Sequence, residues 1–289
     1  MRQTKNSNRL RITEWILQGY FLYTSVLALV LPLSIEIRAR TVCVNLLATA
    51  VLHGLARWPV GRVSLVLRNV LPMGAVLLCY QQMGWFAQPQ TGLELELAWV
   101  HWDRLLLDEY ALQSAIEVLG PVLPGLLEFL YLLTYAMAPI GLAILTACGR
   151  LDRADQYFAL YVASGVAAYA LFPYFPSEPP RTVFPGELSS NYDTVFRQFN
   201  WWILGGAGIH TSVFPSGHVS TAFGCAFGLM YAMPDRRRHG LVMMLAAFGI
   251  AVATVYGRYH YAVDALAGIV ASVLATVTCI CIFRLRTRV

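Results

Sequence analysis

The sequence predicts an all-α, polytopic integral membrane protein. The expected architecture is a bundle of six to eight transmembrane helices with interfacial helices on the non-cytoplasmic side. Three observations carry this. Of 289 residues, 57% are hydrophobic and 13% charged, against roughly 25% charged in a soluble domain. Apolar runs recur along the chain at about the 20-residue length that crosses a bilayer. Arginines gather in short stretches between and beside those runs, as membrane topology requires.

The first residues, MRQTKNSNRLRITEW, are polar and basic. They read as a retained cytoplasmic tail, because the apolar run behind them is too long for a signal-peptide core. Spans are predicted at residues 15–33, 41–55, 63–80, 126–148, 157–175, 216–233, 241–256 and 262–283. The second is short and carries Asn45 and His53, which leaves a tilted or re-entrant course open. If all eight cross, Arg2, Lys5, Arg9, Arg11, the triplet Arg236–Arg238 and the tail RLRTRV share one side. Arg38, Arg40, Arg104, Arg181, Arg197 and Arg258 fall on the other. The positive-inside rule then places both termini in the cytoplasm.

Two stretches on the far side are too long for turns. Residues 81–124 contain WVHWDRLLLDEYALQSAIEVLG, with leucines and acids alternating at helical spacing, the pattern of a helix lying in the interface. Residues 175–213 are rich in proline, glycine and aromatics, and ordered loops of that length often form lids or site walls. The chain reads as a single domain over residues 1–289. Its N-terminal spans and interfacial segment take residues 1–125, and its core takes residues 126–283.

The net charge of +5 comes with a single lysine and no basic groove interleaved with aromatics, so nucleic acid is not an expected partner. The six cysteines lie in apolar runs without metal-ligand spacing. Neither a disulfide framework nor a zinc site is read from them, and no cofactor is implied.

The chemistry concentrates in two stretches. FPSGHVSTAFG, beginning at Phe214, opens an apolar helix with a polar cluster. Proline suits a first helical turn, and the amides of Ser216, Gly217 and His218 would head the helix unpaired, as an anion site. Ser216 adds a hydroxyl, and Gly217 lets backbone approach a ligand. A lone histidine there is ordinarily a capped or snorkelling residue. The second stretch, YGRYHYAVD, changes that reading. His260 and Asp264 stand four residues apart and share a helix face. The carboxylate can hold one tautomer and raise the basicity of the other ring nitrogen, which suits it to attack phosphorus. Alone, the pair would equally read as a structural helix closure. Arg181 and Arg258, on the same side, are placed to grip phosphate oxygens in a forked geometry. Two histidines, a carboxylate, helix-start amides and two arginines fit phosphoryl transfer with charge stabilised by donors rather than a metal.

PSGH at Pro215–His218 and the HxxxD of YHYAVDALAG resemble the type 2 phosphatidic acid phosphatase superfamily, which shares its phosphate site with the vanadium haloperoxidases. The resemblance covers residues 126–283. It implies that His260 is the nucleophile that forms a phosphohistidine and that Asp264 orients it. It implies that His218 protonates the leaving oxygen and then deprotonates the incoming water or alcohol, while Ser216, Gly217 and Arg181 bind phosphate. Two positions depart from the family pattern: Tyr174 stands where a lysine begins its first motif, and Thr254 stands where an arginine precedes its histidine by six residues. The PPR turn and compact HYxxD are similar to the inositol phosphorylceramide synthase-like branch, which moves phosphoryl head groups between lipids. The resemblance therefore implies a membrane lipid-phosphate phosphatase or phosphotransferase acting at the non-cytoplasmic face, with water or a polyol or sugar hydroxyl as acceptor. The alternatives are an undecaprenyl-pyrophosphate-type phosphatase and, in another class, a lipid-head-group binder or transporter without chemistry.

Other polar residues admit two readings. His210 and Tyr256 are candidates for lining the substrate, with His210 equally readable as a polar contact, like His53. Glu128 and Arg68 read as snorkelling charges, Trp201–Trp202 as an interface anchor, and Asp103 and Arg104 as a solvated face.

Overall fold

The computed structural model describes residues 9–59, 61–86 and 92–286. Arg2, Lys5 and Arg288, which enter the orientation argument, lie outside the described residues. Among these residues the chain forms helices and no strand: α1 (Ile12–Val30), α2 (Ile35–Arg57), α3 (Arg62–Met83), α4 (Glu94–Arg104), α5 (Leu112–Glu117), α6 (Val122–Ala147), α7 (Ala154–Tyr169), α8 (Pro180–Val183), α9 (Val195–Ala207), α10 (Gly217–Ala232), α11 (Arg237–Tyr256) and α12 (Ala262–Arg286).

All eight predicted spans are helices. By length and composition six stretches of the described chain can cross a membrane: Ile35–Arg57, Arg62–Phe86, Val122–Ala147, Leu151–Tyr174, Pro234–Tyr256 and Ala262–Arg286. The chain is a multi-pass integral membrane protein of the expected all-α class. The second span is not short: Ser34 caps it by accepting the backbone N–H of Ile37 at 3.3 Å, and α2 runs 23 residues. In α1, Glu14 and Gln18 dilute the hydropathy, and α10 has only 16 residues.

Helix α10 lies at the centre of the bundle. It is the innermost helix, packed against α6, α7, α11 and α12, while α7 also carries α1, α3 and α12. Lipid tails are as apolar as leucine, so helices in a bilayer associate through close packing of small residues. Gly224 and Gly228, four apart, supply it here. A Cβ at Gly224 would lie 2.6 Å from Ser164 Oγ, and one at Gly228 2.7 Å from the Tyr157 carbonyl oxygen. Polar residues join the peripheral helices. Asn45 Nδ2 donates to the Phe21 carbonyl at 2.9 Å, Gln82 Nε2 donates to Asn45 Oδ1 at 2.7 Å, and Gln18 pairs with His53 at 2.9 Å. His53 is thus a helix–helix contact.

The two ends of the bundle differ. At one end Arg68 grips Glu14 through two bonds of 2.7 and 2.6 Å, Asp155 accepts the amides of Ile12 and Thr13, and Arg150 pairs with Asp235. Ile12 shares a core cluster there with Cys279 and Phe283, so the helices nearest both termini meet at this end. The opposite end holds α4, α5, α8, α9 and the loops before α10 and α12, tied by bonds such as Glu96 to the Glu178 amide and Gln81 to Ala207. Arg68 is therefore paired rather than snorkelling.

Candidate active site

At that loop-rich end a cavity of about 310 Å³ lies between α3, α6, α9 and the loops before α10 and α12. His218, His260, Arg181, Gly217 and His210 line it. The sequence places these residues in three separate stretches, and the fold joins them by backbone bonds. The Ser216 amide donates to the Asp264 carbonyl at 2.9 Å, locking the PSGH turn to the first turn of α12. The Arg181 amide donates to the Arg258 carbonyl at 3.3 Å, locking the PPR turn to the loop before it.

The histidines face each other, with His260 Nε2 3.4 Å from His218 Nδ1. His260 is 6% exposed, and its Nδ1 lies 3.0 Å from the Val213 carbonyl oxygen and 3.4 Å from Asp264 Oδ2. A carbonyl only accepts, so Nδ1 carries the proton and the lone pair sits on Nε2, toward the cavity. Burial, then His218 and Arg181, hold the His260 imidazole well below its ordinary value, so it is neutral near pH 7. Asp264, fully buried, accepts the Tyr261 amide at 2.9 Å through Oδ2. It supports the turn as well as the ring, and the Val213 carbonyl is the nearer partner of Nδ1. His218 Nε2 lies 3.3 Å from the Tyr135 hydroxyl and 3.5 Å from that of Tyr131.

Arg181 donates to the Tyr259 carbonyl at 3.4 Å and stands 5.8 Å from the centre of the Tyr259 ring, with no carboxylate partner among the described residues. The amides of Gly217 and His218 head α10 with no partner among the described residues. Three expectations are corrected here. The Ser216 hydroxyl caps α10 by accepting the Val219 amide at 3.3 Å, and Ser216 is fully buried rather than lining the cavity. Arg258 is turned away from the cavity: it is 1% exposed and its Nη1 donates to Asp103 Oδ2 at 2.5 Å. The carboxylate of Asp103 draws it into the protein, so it does not stand beside Arg181 as a second phosphate grip. Tyr256 also lies off the cavity, where its hydroxyl donates to Glu117 at 2.9 Å and meets Ser190 Oγ at 2.6 Å. His210 lines the mouth, exposed, with Nδ1 3.6 Å from Glu178.

Several neighbours of the site went unread in the sequence. Glu128 is a buried junction and does not snorkel: it receives Arg197 at 3.0 Å, Asn200 at 2.8 Å and the Tyr259 hydroxyl at 2.5 Å. Tyr259 in turn stacks on Tyr131 at 4.0 Å between ring centres. Asp103 is fully buried, whereas Arg104 is exposed and bonded to Glu187, which that bond holds below the usual carboxylate range. Tyr131 and Tyr135 had a signal, since two tyrosines four apart on an apolar helix mark a shared polar face. The Val213 carbonyl had none. Among the described residues, no group of three or more His, Cys, Asp or Glu is placed to hold a metal ion.

The family model described as PAP2 superfamily matches residues 101–278, more than half of the chain. The match begins inside α4, earlier than the motifs alone suggest. A PA-phosphatase related-family protein of Dictyostelium discoideum is 30% identical over 125 residues, covering 40% of this chain and 22% of that protein. The chain thus spans little more than a fifth of that relative's length. No solved structure matches.

Proposed function

The chain belongs to the PAP2 superfamily, and from that membership and the facing histidines we propose that it is a lipid-phosphate phosphatase or phosphotransferase working through a phosphohistidine. The family supports a phosphatase- or phosphotransferase-type function on lipid phosphates. The observation that carries the finer reading is the 3.4 Å approach of His260 Nε2 to His218 Nδ1 on the wall of a cavity that also holds Arg181.

In this reading the Nε2 lone pair attacks phosphorus, and the bond from phosphorus to the leaving oxygen breaks with its electron pair on that oxygen. His218 delivers a proton to it. In the second half His218 takes a proton from water or an alcohol as its oxygen attacks phosphorus, and the phosphorus–Nε2 bond breaks. Both histidines return to their starting states: the leaving oxygen has gained the proton that the acceptor lost, and the acceptor carries the phosphoryl group. Arg181 and the free amides of Gly217 and His218 hold the phosphoryl oxygens, where preorganised donors are worth most. The Val213 carbonyl and Asp264 keep Nδ1 protonated throughout.

The cavity suits a lipid. Leu77, Tyr135 and Pro139 line it and are themselves exposed on the flank of the bundle, so it opens sideways between α3 and α6 within two spans. An acyl or prenyl tail lies in that gap while the phosphate reaches the histidines. The loop-rich end is the non-cytoplasmic face and both termini are cytoplasmic. One domain comprises residues 1–289. The PPR turn favours transfer to a polyol or sugar hydroxyl, in the manner of the inositol phosphorylceramide synthase-like branch, over simple hydrolysis.

Purified protein incubated with lipid monophosphates, pyrophosphates and phosphoinositol lipids, with and without inositol or sugar acceptors, should yield dephosphorylated or transferred products by mass spectrometry. His260→Ala should yield none. Saturable binding of a lipid phosphate with no product from any of them would replace this reading with that of a head-group binder.

A further inference from the structure

Helix α4 touches each of the three loops that build the site, and it does so along one stripe. Glu96, Trp99 and Asp103 are spaced by three and four residues, which puts them on one helix face. Glu96 Oε1 accepts the Glu178 amide at 3.0 Å, three residues before Arg181. Trp99 stacks on Phe214, at the head of PSGH, with ring centres 5.2 Å apart and 23° between planes, and also lies against Tyr261. Asp103 Oδ2 accepts Arg258 Nη1 at 2.5 Å, and its Oδ1 accepts the Ala262 amide at 2.8 Å. These last two bonds bracket His260, two residues before it and two after.

The burial pattern separates this from an ordinary interfacial helix. Glu94, Asp108 and Glu109 in the same segment are exposed, while Glu96 and Asp103 are 1% and 0% exposed. A carboxylate is withdrawn from water only when partners replace its hydration, and here the partners are the site loops. Arg258 holds a backbone φ of 61°, a conformation that a non-glycine residue keeps only where its surroundings enforce it. The ion pair to Asp103 is such a constraint.

We propose that α4 is the template that sets the mutual placement of the three site loops. Asp103 is a positioning residue for His260, acting through Arg258 and the Ala262 amide; this rests on the phosphohistidine reading above. Removing its carboxylate frees both flanks of the His260 loop. Nε2 then drifts from its line to phosphorus while substrate contacts at Arg181 and the cavity walls stay in place. A misplacement of about 1 Å costs on the order of 10²-fold in rate.

The experiment compares wild type, Asp103→Asn and Asp103→Ala in detergent, with an aryl phosphate and a lipid monophosphate as substrates. It also records ¹⁵N spectra of histidine-labelled protein. Asp103→Ala should lower kcat by about 10–100-fold with KM within about threefold. Asp103→Asn, which keeps an oxygen for the Ala262 amide, should retain more activity. In the spectra, His260 should be an Nδ1–H tautomer in wild type and a mixture in Asp103→Ala. A kcat within twofold of wild type together with an unchanged tautomer would overturn the proposal. So would a loss that merely follows the fraction of aggregated protein, with specific activity per folded molecule intact. If wild type turns over no phosphate ester, the functional reading fails by itself, and the tautomer comparison still decides whether Asp103 positions His260.

Discussion

Gly268 lies one turn beyond Asp264 on α12, where the PSGH turn rests directly on the helix. A Cβ placed there would stand 2.7 Å from the Ser216 carbonyl oxygen, 3.3 Å from Val219 Cβ and 3.4 Å from the Ser220 nitrogen. Carbon–oxygen contacts settle at about 3.3–3.6 Å, so Gly268→Ala must push the start of α10 away from α12 by about 0.6 Å or more. The obstacle is backbone, which cannot swing aside like a side chain. The same interface carries the Ser216 amide to Asp264 carbonyl bond of 2.9 Å, and His218 sits two residues beyond it. The displacement therefore widens the 3.4 Å gap between the histidines. Overpacking of this size destabilises by about 1–3 kcal/mol, and a shift approaching 1 Å between reacting groups costs up to about 10²-fold. Expected, then, is a kcat about 10–50-fold below wild type in protein that still purifies as a single species. Gly74→Ala is the control. It is mid-helix with nothing within 4 Å of the new Cβ, so it should leave activity unchanged and stabilise by roughly 0.5–1 kcal/mol. The assay is kcat on an aryl phosphate beside thermal melting in detergent. Wild-type kcat in Gly268→Ala would show that the seam between PSGH and α12 does not set the histidine geometry.

The two histidines should separate by leaving group. General acid catalysis is worth about 10²–10⁴-fold, so His218→Ala should recover partly on an aryl phosphate while His260→Ala stays inactive on every ester; phosphoenzyme trapped in His260→Ala but not in His218→Ala would reverse the roles. Activity should survive a strong chelator and be inhibited by vanadate, and a loss in chelator restored only by Mg²⁺ would sink a mechanism built on Arg181 and helix amides. An ordinary imidazole with a pKa near 6.5 loses about fourfold of its neutral form between pH 7.5 and 6. Because burial holds His260 well below that value, it stays neutral across the window, and its modification by diethyl pyrocarbonate, read by mass spectrometry, should be nearly flat; a fourfold fall would show an ordinary imidazole. With native cysteines removed, a cysteine at Asn191 should react with an impermeant reagent on intact cells and one at Arg237 should not, while labelling at Arg237 alone would put the site in the cytoplasm.

The parts of the fold carried by local pattern were legible. Long apolar runs need no partner to be recognised, and every one of the eight is a helix. PSGH and HxxxD could be picked out because each is confined to a few residues, and the fold brings Gly217, His218 and His260, with Arg181, to one cavity. What could not be read were choices made by distant partners. Asp103 is 155 residues from Arg258, and Glu128 is 69 from Arg197. Neither pair leaves a periodicity, so each charge alone resembled a solvated or snorkelling one. Ser216 misled for a different reason. It is fully buried at the start of α10, where its oxygen accepts the Val219 amide as N-cap serines do, so its hydroxyl lies off the cavity.

Carboxylate bookkeeping separates the two arginines that the sequence placed on equal footing. Arg68, Arg197 and Arg258 each have a carboxylate in reach, at 2.6, 3.0 and 2.5 Å. Their charge is already compensated, so a phosphate arriving nearby would gain little from them. Among the described residues Arg181 has a carbonyl oxygen and the Tyr259 ring as partners and no carboxylate. A guanidinium in a half-buried cavity without a counter-ion is a standing cost, and an anion that enters offsets it. The histidines sharpen the same preference. Two protonated imidazoles 3.4 Å apart would repel, and in the proposed mechanism the dianion of a phosphate is what allows His218 to take up the proton its role requires. An uncharged head group would satisfy neither condition. In the proposed function the charge the site lacks is the charge a phosphate substrate brings, which assigns Arg181 to substrate binding, while the Asp103 pair keeps Arg258 in the frame.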